Sequence, residues 1–188
     1  MGSVILIASN GYATTAATVN NNVIVGNTIN AANGIAGANG IVTSTAETPL
    51  LTMTTSGNNI SQTDGNGILL VSRGVSGQAN LTIKSNTVAA PLTGSRPGIR
   101  VDAGNSTSVD DAVCLDIQSN TSAGSGGVQG IGLRKQGTTS TINDFGIEGM
   151  AATSSPGVES YVDGLNPAGG GTLLLSATSG FSNCSTAP

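Results

Sequence analysis

One short pattern recurs along this chain and limits its fold more than any other feature. It runs aliphatic, any residue, aliphatic, any residue, Ser or Gly, Asn, any residue, aliphatic. Residues 81–88 read LTIKSNTV, and residues 115–122 read LDIQSNTS with Ser in the last place. Residues 5–12 (ILIASNGY) end in Tyr, residues 22–29 (NVIVGNTI) depart at the first position, and residues 53–60 (MTTSGNNI) and 139–145 (TSTINDF) are looser copies. A second motif lies between them: Gly40-Ile41, Gly67-Ile68, Gly98-Ile99 and Gly130-Ile131. The two motifs advance together at roughly 30 residues per unit, a period at which solenoids repeat.

Alternating aliphatic residues over four to six positions describe a half-buried strand. Each such strand is too short to make a core by itself. The stretches between are Gly, Ser, Thr and Asn, which form turns, and helical spacing is missing from almost the whole chain. Stacked coils that share one core satisfy both facts. The composition agrees. Charged residues are 9% and aromatics 2%, yet hydrophobic residues reach 37%, more than a disordered chain carries. Asn at a strand end tolerates left-handed backbone at a sharp corner, and its amide both donates and accepts. Asn10, Asn27, Asn58, Asn86 and Asn120 are therefore expected to stack as a hydrogen-bonded ladder, one per coil at strand spacing of about 4.8 Å.

With these residues in view the chain resembles a right-handed parallel β-helix of the pectin-lyase-like type, a style shared by passenger domains of bacterial surface and autotransporter proteins. The resemblance rests on SNTV at 85–88, SNTS at 119–122, GNTI at 26–29 and the Gly-Ile strand starts, and covers roughly residues 4–147. Residues 131–184 are similar to the terminal segment of large bacterial surface proteins with β-helix repeats. There a strand leads to a short helix, a Gly-rich turn and a last strand. The residues read the same way. Val158, Tyr161, Val162 and Leu165 share one helical face, Ser155 suits the N-cap and Pro156 the first helical position, and Asn166-Pro167 stops the helix. The expected architecture is all-β: a right-handed parallel β-helix of about six coils over 1–150, with a cap over 151–188 (helix 155–165, strand 172–176, tail) in the same structural domain. Nothing comparable covers the N-terminal end. Either upstream sequence or a neighbour is expected to meet its strand edges; Met1-Gly2-Ser3 resembles an appended start, with a natural leader removed.

The absence of His removes His-based triads and His-ligated zinc or haem. Two cysteines cannot make a four-cysteine metal site, and six basic residues against ten acidic ones offer no nucleic-acid patch. No apolar stretch is long enough to span a membrane. No catalytic residue, metal or cofactor is expected. Cys114 and Cys184 have three outcomes: an intrachain disulfide, a buried Cys114 beside a free Cys184, or intermolecular pairing. Arg100 and Asp102 point one way from a strand, with Asp110, Asp111 and Asp116 half a coil later and Arg134-Lys135 a coil beyond. On one face these would form the minimal cluster of a β-helix polysaccharide lyase; separately they are surface charges. The pairs Thr43/Thr45, Thr52/Thr54 and Thr139/Thr141 match an ice-binding array locally, but Lys84 breaks it in the regular coil at 81–88. The function expected is a structural rod of a bacterial extracellular or cell-surface protein: a stalk, an adhesin or a fibre subunit that stacks end to end on copies of itself or touches a surface glycan. The alternative is a carbohydrate-active enzyme, a polysaccharide lyase or hydrolase, disfavoured by having only Tyr12, Phe145, Tyr161 and Phe181 for sugar stacking.

Overall fold

The computed structural model describes residues 3–12, 14–25, 39–47, 49–73, 76–104, 111–136, 144–151, 154–176 and 181–186. The chain winds as a parallel β-solenoid. The first turn contributes β1 (Ser3–Gly11), β2 (Thr14–Asn20) and β3 (Val23–Val25), and the second β4 (Asn39–Glu47), β5 (Leu50–Ser56) and β6 (Asn59–Ser61). The third turn holds β7 (Ile68–Ser72), β8 (Gln78–Lys84) and β9 (Thr87–Val88), and the fourth β10 (Ile99–Ala103), β11 (Ala112–Gln118) and β12 (Thr121–Ser122). Then come β13 (Ile131–Lys135), β14 (Asp144–Glu148), helix α1 (Ser155–Leu165), β15 (Thr172–Ser176) and β16 (Phe181–Cys184). Like strands stack into three parallel sheets: β1-β4-β7-β10-β13-β15, β2-β5-β8-β11-β14-β16, and β3-β6-β9-β12.

Four turns therefore carry all three strands, not six. The pattern at residues 5–12 supplies β1 and that at 22–29 contains β3, so two copies of the motif fall in one turn. Beyond the fourth turn the first two sheets each gain two rungs, while α1 stands where the third sheet would continue.

Registry explains the repeat. Ile41, Ile68, Ile99 and Ile131 are consecutive partners on the first sheet, all fully buried. The second sheet stacks Met53, Leu81, Leu115 and Ile147, and the third stacks Ile24, Ile60 and Val88. Together they form one continuous core. The glycine before each isoleucine lets two sheets meet closely: a Cβ on Gly98 would stand 2.5 Å from Ser122 Oγ and 2.7 Å from the Ala123 carbonyl oxygen.

Helix α1 buries Val158 and Val162 completely, and the Tyr161 hydroxyl donates to the Glu148 carbonyl at 2.9 Å. Leu165 is half-buried. Its carbonyl accepts the Ser119 N–H, and Ala168 accepts that of Ser122, so the end of α1 serves as a fifth rung beneath the third sheet. The N-cap is Ser154 rather than Ser155, and no side chain caps this end; Pro sits in the first turn, as its missing N–H favours.

Candidate functional site

The asparagine ladder is real in outline and shifted in membership: it runs Asn22, Asn58, Asn86, Asn120, Asn166. Asn58 shows the unit. Its Nδ2 donates to Asn86 Oδ1 (2.9 Å) and to the Val19 carbonyl (2.7 Å), and its backbone N–H also donates to Asn86 Oδ1 (3.1 Å). Asn86 repeats this toward Asn120 and Thr55, and Asn120 toward Asn166 and Ile83. The links span 36, 28, 34 and 46 residues of sequence. From Asn58 to Asn166 each side-chain oxygen accepts two hydrogen bonds from the asparagine before it, and each amide donates at least two, the capacity that burial demands.

Asn10 does not belong. It stays in β1, exposed, opposite Ala46 on the first sheet. Asn27 lies outside the described residues. The left-handed corner residue is also not the ladder asparagine but the one before it: Asn21, Gly57, Ser85 and Ser119 have φ between 55° and 64°. Asn22 was legible, because residues 19–24 (VNNNVI) fit the same corner five residues before Asn27. Asn166 was not, because its second acceptor is helical. As the C-cap of α1 it donates from Nδ2 to Ile117 O and to Val162 O, so the helix closes the ladder.

Cys114 and Cys184 form a disulfide with a Cα–Cα distance of 5.8 Å across a sequence separation of 70. Cys114 sits on β11 and pairs in register with Gly146 of β14, while Cys184 ends β16 on the far side of that strand. The bond crosses over Gly146, where a Cβ would stand 2.5 Å from Cys184 Cβ and 2.7 Å from its Sγ. Glycine there makes the bridge possible.

The candidate charged cluster divides among different places. On the outer face of the first sheet, Asp102 accepts two hydrogen bonds from Arg100 (2.8 and 2.9 Å) and a third from Arg134 of the next rung. Burial lowers the Arg134 guanidinium from its ordinary value, Asp102 opposes that, and Arg100 and Arg73 add to it by repulsion. Lys135 alternates to the inner row and is buried. Asp116 lies on the second sheet, paired with Lys84. Asp111 is fully buried and accepts the Gly77 N–H at 2.9 Å; Asp110 lies outside the described residues. The threonine pairs divide similarly: Thr43 and Thr45 point into the core, Thr52 and Thr54 are half-exposed on the second sheet, and Thr139/Thr141 lie outside the described residues.

Beside the Asp102 cluster is a shallow groove of about 220 Å³. Leu6, Val42 and Leu69 occupy successive rungs of the first sheet and supply its apolar floor, with Val71 next to them. Asn39, Ser44 and Arg73 supply its polar lining. Among the described residues, no group of three or more His, Cys, Asp or Glu side chains could hold a metal, and no helix is long and apolar enough to cross a membrane. No protein-family model matches the chain, and neither a curated protein nor a solved structure matches it in sequence or fold.

Proposed function

We propose that this chain is a structural β-helical rod segment of a bacterial extracellular or cell-surface protein, acting as a stalk, an adhesin or a fibre subunit. The observation that carries the reading is the unbroken internal stack: an asparagine ladder and a single aliphatic core run through the turns, and charged residues are only 9% of the chain. Such a build spends the sequence on a stiff axis rather than on a pocket. The disulfide supports an oxidising compartment, and the pectin-lyase-like resemblance of the repeat motifs supports the surface-protein setting. The carbohydrate-active alternative has less support, since Asp102 is taken up by two arginines and Asp116 lies on another sheet with Lys84.

Negative-stain electron microscopy over a concentration series, together with cleavage assays on acidic and neutral polysaccharides with and without calcium, tests the reading. Short rods or fibres one solenoid wide with no cleavage are expected. Turnover of any polysaccharide that D102N abolishes would overturn it in favour of an enzyme.

A further inference from the structure

The outer face of the first sheet carries an arrangement that a stiff rod does not need. Its apolar floor comes from three consecutive turns, where Leu6, Val42 and Leu69 are register partners pointing away from the core. Leu6 is 63% exposed, and apolar surface of this kind, contiguous and rimmed by charge, marks binding sites. The rim carries one cation, Arg73, beside the neutral polar groups of Asn39 and Ser44. Only six residues of the whole chain are basic against ten acidic, yet three share this one face: Arg100 and Arg134 hold the carboxylate of Asp102, and Arg73 is near enough to repel Arg134. Arg73 lies two residues beyond Val71 on the same row and makes no ion pair among the described residues. Arg134 Nε is buried without an acceptor among the described residues. The positive charge here is local and in excess, on a chain whose net charge is −4.

The chemistry of an occupant follows. It must be anionic to answer Arg73, whose guanidinium offers a planar fork to a carboxylate, sulfate or phosphate. It must also be aliphatic. Sugar rings stack on aromatic faces, and none of Tyr12, Phe145, Tyr161 or Phe181 lines the groove. We propose that this groove binds an amphipathic anion, with an aliphatic chain lying across Leu6, Val42, Leu69 and Val71 and an anionic head held by Arg73. The site stands independently of the rod function.

The test is titration of the 15N-labelled 188-residue chain with decanoate, decanol, acetate and trigalacturonate, read by amide shifts. Decanoate is expected to move Val42, Leu69, Val71 and Arg73, with decanol and acetate at least tenfold weaker. Arg73→Gln, which removes an exposed side chain, should weaken decanoate roughly tenfold, the worth of one charge-assisted bond. It should leave decanol unchanged, and Arg73→Lys should restore part of the loss. Co-sedimentation with phosphatidylglycerol vesicles that is lost in R73Q would make a membrane lipid the source of the anion. Decanoate binding without vesicle binding would make it a free amphiphile. No decanoate binding at millimolar concentration, shifts elsewhere on the molecule, equal affinity in R73Q, or trigalacturonate binding as tightly at the same amides would each overturn the proposal.

Discussion

Asn86 illustrates what one residue contributes to this fold. Its side chain satisfies the N–H and Nδ2 of Asn58 above, the Thr55 carbonyl, and Oδ1 of Asn120 below, and it is 1% exposed. Truncation strands several buried polar groups, each worth about 1–3 kcal/mol when water cannot reach it. Asn86→Ala is expected to lower the unfolding free energy by about 3 kcal/mol or more. Asn22 makes the same link at the exposed end of the stack, where water replaces the lost bonds, so Asn22→Ala should cost about 1 kcal/mol or less. Urea unfolding of both variants checks this; equal losses would mean that the ladder is not the source. The residue scale is also where sequence reading went partly astray. The S-N-T-V type of corner announced Asn58, Asn86 and Asn120 because a buried amide in a turn has few other uses. Asn10 fitted the aliphatic spacing equally well, and spacing alone does not say whether the chain turns a corner or continues as a strand, as it does there.

At the scale of elements, the alternation of apolar residues made the strands legible, and the i, i+3, i+4, i+7 face made α1 legible. Less legible was how the last elements attach. β16 holds only Phe181 in the core, where its ring meets Phe145 at 5.1 Å between centroids. Its other anchors include its pairing with β14, the Gly149 N–H donated to Asn183 Oδ1, and the disulfide to β11 over Gly146. No spacing rule in the sequence announces Gly146, because its partner sulfur lies in a strand that follows a helix. Closing a loop of 70 residues contributes about 4 kcal/mol in the chain-entropy model. Reduced wild-type protein is expected to lose about that much stability. Gly146→Ala, whose methyl would occupy the path of the bridge, is expected to refold with both thiols free and to melt with the reduced protein. Thiol titration and denaturation with and without reductant decide the matter; a fully oxidised G146A that melts like wild type would refute the crossing geometry.

On the scale of the whole molecule the two ends differ. At one end β1, β2 and β3 each form the outer edge of their sheets, and Val4, Tyr12 and Val23 of that turn are 51%, 90% and 79% exposed. The Asn22 backbone carbonyl accepts the Asn59 N–H, but its side-chain oxygen accepts no hydrogen bond from another described residue, so the ladder has an open acceptor. At the opposite end the ladder is finished: Asn166 gives its Nδ2 hydrogens to Ile117 and Val162, and its backbone N–H to Val162 and Asp163. A second copy stacked head to tail would bring Asn22 to a partner with no hydrogen left to donate. End-to-end assembly must then be carried by the edges of the first two sheets, against β15 and β16, and the apolar exposure of the first turn supplies its driving force. Lysines at exposed positions of these two edges, Val4→Lys on β1 with Ala16→Lys on β2, face water in the isolated chain and would be desolvated in such a joint. Light scattering and negative stain should show the double variant monomeric at concentrations where the wild type associates, with its melting temperature unchanged. Association that persists in the variant would place the contact on the side of the rod instead of its open end.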